Sequence, residues 1–297
     1  MVEQFAPSES GRRPAQSRYR PASRALRRIQ SNRLIVAGGV IVAVMAGFAV
    51  LAPVLPLSSP NAPHLNHRLV APLSFGYALG SDQLGRDILS RLVWGTRTSL
   101  AVGVSAALLA LALGSALGII AAHYGGRVDN LLMRGIDILM GFPEILLAIA
   151  IVAALGPGLA HAMVAVTISN VPFYARGLRG AVLLLRSTDF VESARASGAT
   201  GARIILRHLL PNVLAPMLVF VSLNIGWMVT ETAGLSFLGL GAQPPTPDWG
   251  TMLADGRGFI TVASHVAAAP GLTIFLSVLG FNTLGEGLRE AFDPRSR

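Results

Sequence analysis

Long apolar runs constrain the fold of this chain more than any other feature of its sequence. A helix needs about 20 residues to cross the hydrocarbon layer of a bilayer, whereas helices of soluble domains are commonly shorter and polar on one face. Only 13% of the residues are charged, against about one quarter in soluble domains. We therefore expect an all-α membrane protein with about six transmembrane helices. The predicted spans are 34–56, 99–122, 136–155, 160–174, 213–238 and 267–284.

The distribution of positive charge predicts the orientation of these spans. All 24 basic residues are arginine, and cytoplasmic loops carry the excess of positive charge in membrane proteins. With both termini in the cytoplasm, 19 arginines fall on the cytoplasmic side and five on or near the outer side. The net charge of +9 therefore reflects topology and contact with lipid, and we expect no nucleic-acid partner because no aromatic residues interleave with the arginines.

This topology divides the chain into three parts. Residues 1–33 form a basic cytoplasmic arm with eight arginines, 34–95 hold the first span and an external loop, and 96–297 form the main transmembrane domain. The arm could bind anionic lipid, bind a cytoplasmic partner or only set the orientation. A cleaved signal peptide is the alternative for the first apolar run, but the polar region before it is too long and no A-x-A site follows.

Two missing residue types exclude several kinds of chemistry. Without lysine the chain cannot build a phosphate-binding P-loop or a Schiff-base site. Without cysteine it has no disulfide, no thiolate nucleophile and no cysteine-ligated metal. Among the six histidines, His64 and His67 are the only close pair, no acidic ligand lies beside them, and no H-E-x-x-H arrangement occurs. We expect no catalytic residue, no metal site and no bound cofactor.

The arginine-rich stretch 176–212 between the fourth and fifth predicted spans contains the signals of a short helix. Asp189 could accept a hydrogen bond from a backbone N–H near Glu192, and Glu192 could reach back as in a capping box. Gly198 suits the left-handed residue that ends a helix. The small side chains of this helix could form a face that fits a groove on a partner protein, with arginine at the rim. The alternative is an ordinary solvated loop. The residues between the two ends are Ser193, Ala194, Arg195, Ala196 and Ser197.

The spacing of this segment resembles the coupling loop of permease subunits in bacterial ABC importers, which follows the pattern E-A-A-x-x-x-G-x9-I-x-L-P. The matching positions are Glu192, Ala194, Gly198, His208 and Pro211. The chain departs from the pattern at Ser193, which is small enough to preserve the fit, and at His208, where isoleucine is common. Two outer segments, 79–91 and 235–250, are similar to the C-type permease subunit of dipeptide, oligopeptide and nickel importers.

The resemblance implies a type I ABC importer transmembrane fold without catalytic activity of its own. It implies that a homologous B-type permease subunit completes the pathway as a heterodimer. It also implies two cytoplasmic ATPase subunits that bind ATP and Mg, and an extracytoplasmic binding protein that delivers peptides to the bacterial cell membrane. A nickel or other small-solute importer and a secondary transporter are the alternatives.

Two polar residues in the fifth predicted span are candidates for the translocation pathway or a gate. A carboxylate such as Glu231 is costly within an apolar run and is a functional candidate by default. It could instead hydrogen-bond to its neighbours Thr230 or Thr232. For Asn224, hydrogen bonding between helices is the alternative.

Charged residues near two predicted loops are further candidates. Asp82, Arg86 and Asp87 could contact the binding protein, or they could pair with one another and fold the external loop. Glu144 follows Pro143, and this pair could mark an unwound turn lined by water or could reach the cytoplasmic headgroups.

Overall fold

A computed structural model describes residues 32–292, and among these it contains helices and loops but no strand. A π-helical segment, Ile205–Leu209, precedes the eighth helix, and short 3-10 turns lie at Leu65–His67 and Arg257–Phe259. The all-α prediction is confirmed for this part of the chain. The α-helices are α1 Arg33–Leu51, α2 Ile88–Tyr124, α3 Gly126–Met140, α4 Glu144–Leu155, α5 Leu159–Leu185, α6 Asp189–Ala196, α7 Gly201–Ile204, α8 Leu210–Phe237, α9 Trp249–Gly256 and α10 His265–Phe292.

Fewer helices than predicted have both the length and the apolarity of a membrane span. Within residues 32–292 there are four such helical segments, or five if the bent pair α3 and α4 is one span. The remaining predicted span, 160–174, coincides with α5, which is 27 residues long. Polar residues such as His161, Asn170 and Arg176 lower the hydropathy of α5. The four segments are Arg33–Leu51, Ile88–Tyr124, Gly201–Phe237 and His265–Ala291.

The span predicted over 136–155 consists of two helices in the structure. α3 ends at Met140, α4 begins at Glu144, and the two helices are bent by 89°. Pro143 is the N-cap of α4, and its ring and missing N–H disfavour a continuous helix at this position. The break agrees with the unwound turn predicted at Pro143 and Glu144.

Small residues allow the central helices to pack closely. A Cβ added at Gly114 of α2 would lie 2.6 Å from the Cβ of Tyr174 in α5, and one at Gly118 would lie 2.3 Å from the carbonyl oxygen of Ala175. α1 approaches α10 in the same way, since a Cβ at Gly38 would lie 2.4 Å from the backbone nitrogen of Leu284. Contacts of this kind bring backbones together where apolar burial cannot drive association.

α9 and its preceding loop join the N-terminal end of α2 to the C-terminal end of α8. The Asp248 side chain caps α9 by accepting from Gly250 N–H at 3.0 Å, and it also accepts from Ser99 Oγ of α2 at 2.8 Å. Trp249 is fully buried and donates from Nε1 to the carbonyl oxygen of Leu92 at 3.3 Å. The segment 235–250 therefore packs against the part of α2 that follows directly on the segment 79–91.

Candidate functional site

The short helix predicted within 176–212 is α6, and its C-terminal end is confirmed. Gly198 has φ +80°, and its N–H donates to the carbonyl oxygen of Arg195 at 3.0 Å. The N–H of Ala199 donates to the carbonyl oxygen of Ala194 at 3.1 Å, which completes a Schellman motif. No atom lies within 4 Å of the position that a Cβ on Gly198 would take. Backbone conformation, and not crowding within this chain, therefore favours glycine there.

The predicted capping box at the start of α6 is wrong. Thr188 is the N-cap, Asp189 is the first helical residue, and no side chain caps this end. Glu192 is therefore the fourth helical residue, one position beyond the place that a capping box requires. Both carboxylates still lie in the first turn, where negative charge is favourable for the helix dipole.

Most of the stretch 176–212, which was predicted to be a loop, is helical. α5 continues to Leu185, and helical structure resumes at Gly201. The chain therefore leaves helical structure only on the two sides of α6, which is held close to the ends of two long helices.

A single apolar side chain anchors α6. Val191 is fully buried and belongs to a cluster with Leu178 and Val182 of α5, Ile119 of α2 and Val213 of α8. Ala194 is half-buried, and the other residues of α6 are exposed. The helix therefore presents a polar, small-residue surface while its position depends on α5 and α8.

The last two positions of the matched pattern lie beside α6. His208 is half-buried in the π-helical segment, and its ring lies 6.5 Å from the ring of Phe190. Pro211 is exposed in the first turn of α8, directly after the π-helical segment. The structure thus brings the whole predicted segment together at one end of the bundle.

Exposed positive charge surrounds this segment. Arg195, Arg203 and Arg207 are all exposed, and none of them forms an ion pair with another residue of 32–292. Surface arginines without carboxylate partners complement a negatively charged surface on another protein.

Glu231 joins two helices in the middle of the bundle. It is 5% exposed, and its Oε2 accepts a hydrogen bond from Nδ2 of Asn170 in α5 at 2.6 Å. Pairing with Thr230 or Thr232, the alternative drawn from the sequence, is wrong. Both hydroxyls donate to backbone carbonyls one turn earlier in α8, those of Gly226 and Met228.

Trp227 was not selected from the sequence, although it lies on the same face of α8 as Asn224 and Glu231. Asn224, Trp227 and Glu231 are three and four residues apart and so share one face of the helix. Asn224 is buried, and its Nδ2 has no hydrogen-bond partner among the described residues. Trp227 is exposed and donates from Nε1 to Oε2 of Glu144 at 3.2 Å. The spacing of three and four residues was the sequence signal that could have identified Trp227.

The three charged residues of the external loop fold that loop. Asp82 and Arg86 are buried and form an ion pair of 2.6 Å, and Asp82 also accepts from the N–H groups of Leu84 and Arg86. Asp87 caps α2 by accepting from the N–H of Leu89 at 2.9 Å. α2 consequently begins at Ile88, earlier than the predicted start at 99. Contact with a binding protein stays a prediction for these residues.

Two buried charges, Arg91 and Asp248, and the exposed Asp255 also lie in this region and were not selected from the sequence. Arg91 lies 3.7 Å from Asp82, and Asp255 lies 3.4 Å from Arg86. Burial raises the pKa of Asp248, while hydrogen bonds from Ser99, Thr251 and Gly250 oppose the rise. These residues come from distant parts of the chain, so no local pattern identifies them.

These features define an integral membrane protein with a short, exposed helix at one end of its helical bundle. Among residues 32–292, no group of three or more His, Asp or Glu side chains could hold a metal ion. Residues 114–297 match the family described as binding-protein-dependent transport system inner membrane component, and residues 20–72 match the N-terminal TM domain of oligopeptide transport permease C. The chain belongs to this family of inner membrane permeases.

Two relatives are similar over nearly their whole length. The dipeptide transport system permease protein DppC of Alkalihalophilus pseudofirmus is 45% identical over 93% of this chain and 91% of the relative. The glutathione transport system permease protein GsiD of Pectobacterium atrosepticum is 45% identical over 91% of this chain and 89% of the relative. The recognition as a C-type permease subunit is confirmed.

One solved structure supports the fold class. An inward-facing structure of the MetNI methionine ABC transporter has a TM-score of 0.56 and 21% sequence identity, covering 69% of this chain and 98% of that chain. The type I importer fold is confirmed, whereas the location of the two termini stays a prediction.

Proposed function

We propose that this permease is one of two subunits that form the translocation pathway of an ATP-driven importer of dipeptides or other small peptides. The names of the relatives, dipeptide and glutathione permeases, support the substrate class. A homologous B-type permease would supply the other half of the pathway, and an extracytoplasmic binding protein would deliver the solute. No chemical step occurs on this chain, since ATP and Mg would be bound by two cytoplasmic ATPase subunits.

The geometry of α6 is the observation that carries the coupling part of this proposal. A helix of eight residues is too short to be stable alone in water, yet most of its side chains are exposed. A cleft on an ATPase would cover the small face formed by Ser193, Ala196 and Ser197. The three free arginines beside it favour an acidic rim on that cleft.

The attachment of α6 suggests how movement would reach the membrane. Val191 packs among residues of α2, α5 and α8, so a displacement of α6 would move these helices together. Farther along, Asn170 and Glu231 join α5 to α8 again. ATP binding could drive the permease between inward-open and outward-open states only if the ATPases bind α6 differently in the two states.

Reconstitution tests the proposed function. The permease pair, the ATPases and the binding protein are placed in liposomes, and uptake of a labelled dipeptide, glutathione and Ni²⁺ is measured with and without ATP. We expect ATP-dependent uptake of the dipeptide or glutathione. Uptake of Ni²⁺ alone would replace the peptide proposal with the metal-importer alternative, and uptake that persists without the ATPases would indicate a secondary transporter.

A further inference from the structure

An exposed tryptophan beside a carboxylate has no role in the coupling described above. Trp227 of α8 is 53% exposed, and its Nε1 donates to Oε2 of Glu144 at 3.2 Å. Glu144, the first residue of α4, is also exposed. The hydrogen bond fixes the indole against the carboxylate and leaves about half of the tryptophan uncovered by this chain.

Helix geometry gives the depth of this pair for helices that run along the bilayer normal. The N–H of Gly158 donates to the carbonyl oxygen of Leu240 at 3.0 Å, so the C-terminal ends of α4 and α8 are level. With a rise of 1.5 Å per residue, Glu144 and Trp227 lie about 15 to 17 Å below those ends. That depth is near the middle of a hydrocarbon layer of roughly 30 Å. A carboxylate at such a depth faces protein or a water-filled cavity and not lipid.

A second carboxylate increases the negative charge of this region. Glu231 lies one turn from Trp227 on α8, and Trp227 contacts Glu144, so the indole lies near both carboxylates. Glu231 is 5% exposed, and its Oε1 has no hydrogen-bond partner among the described residues. Neither acid forms an ion pair within the part of the chain that the structure describes. The two carboxylates are therefore available to bind a positive charge.

Aromatic residues on the neighbouring surface provide apolar contact area. Phe173 of α5 is 46% exposed, and its ring packs edge to face against Phe220 of α8 at 5.9 Å. Phe220 and Trp227 are seven residues apart and so lie on one stripe of α8. A solute moving along this face would meet aromatic surface next to the carboxylate.

We propose that Glu144 and Trp227 form a recognition site for a positively charged amino group of the transported solute. The carboxylate supplies the opposite charge, and the indole face attracts a cation through its π electrons. The identification of this cation as the amino group of a peptide rests on the proposed function. The site gives the pathway a preference for cations that is separate from the selection made by a binding protein.

The absence of cysteine from the whole sequence allows a direct test in the assembled transporter. Thr230 is exposed one turn from Trp227, and Thr230→Cys leaves both proposed residues in place. The thiol is treated with two methanethiosulfonates of similar size, one carrying a trimethylammonium group and one a sulfonate. The ratio of the two modification rates reports the preference for a cation, because changes in thiol reactivity cancel.

We expect the cationic reagent to react faster, and Glu144→Gln to lower the ratio about two- to fivefold, the range for a partly exposed charge pair. Trp227→Leu should also lower the ratio of the two rates. Trp227→Phe, which keeps an aromatic face, should lower the ratio less than Trp227→Leu does. A ratio that Glu144→Gln leaves unchanged would overturn the proposal. Failure of both reagents to react would also overturn it, because this face would then be closed to water.

A second measurement tests the peptide assignment. Modification of Thr230→Cys is timed in the presence of a dipeptide with a free amino terminus or its N-acetylated form, without binding protein. The free amine should slow the cationic reagent more than the acetylated form does, and equal protection would contradict amine recognition. If the charge preference holds but reconstituted uptake excludes peptides, the proposed function fails while the cation site stands.

Discussion

The conformation of Gly198 allows the effect of side-chain size to be separated from the effect of backbone geometry. At φ +80°, an ordinary L-residue is strained by about 1 to 2 kcal/mol, whereas asparagine tolerates this region. Asparagine is the larger side chain, and the open space around Gly198 in this chain accepts either residue. We therefore expect Gly198→Asn to transport better than Gly198→Ala.

The size of the effect follows from the marginal stability of α6. A strain of about 1 kcal/mol shifts the equilibrium between the capped and the frayed helix roughly fivefold. Gly198→Ala should therefore lower the solute imported per ATP hydrolysed by up to about fivefold. Gly198→Asp should lower this ratio more than Gly198→Asn does, because aspartate shares the backbone tolerance of asparagine but places a negative charge at a helix C-terminus.

The assay compares uptake and ATP hydrolysis in liposomes that contain equal amounts of each assembled variant. Ser193→Ala is the control, since it restores the residue of the family pattern and should change neither quantity. If Gly198→Ala matched or exceeded Gly198→Asn, steric fit in the partner cleft would govern this position, and the argument from backbone conformation would be refuted.

Three further predictions concern packing and buried charge. Val191→Ala removes the anchor of α6 and about 2 kcal/mol of apolar burial, so proteolysis within 186–200 should accelerate while uptake falls. Asp82→Asn leaves the buried Arg86 guanidinium without its full partner, which should lower the thermal midpoint of the purified complex, at a cost of about 3 kcal/mol. Asp87→Asn should change that midpoint little, because asparagine also caps helices. Gly118→Ala should destabilise the contact between α2 and α5, whereas Gly135→Ala, with no neighbour within 4 Å, should be neutral or stabilising in the same measurement.

The sequence was most informative where local physics decides the structure. Apolar runs of span length and a 13% charged fraction indicate membrane helices, because no soluble core needs them. The spacing of Glu192, Gly198 and Pro211 predicted a short helix with a glycine end, and backbone geometry alone enforces that end. The helix boundaries were less certain: Pro143 divides a run that looked continuous, and Thr188 takes the cap position that Asp189 was expected to hold.

The tertiary structure decided which polar groups meet. Glu231 bonds to Asn170, 61 residues away, and Trp227 bonds to Glu144, 83 residues away. No period or motif encodes such pairs, because the partner of a buried polar group depends on how helices from distant parts of the chain pack. The apolar runs and the arginine distribution thus determined what kind of protein this is. Helix packing determined which carboxylates lack an ion-pair partner among residues 32–292. A buried polar group can bond only to the groups that a neighbouring helix places beside it.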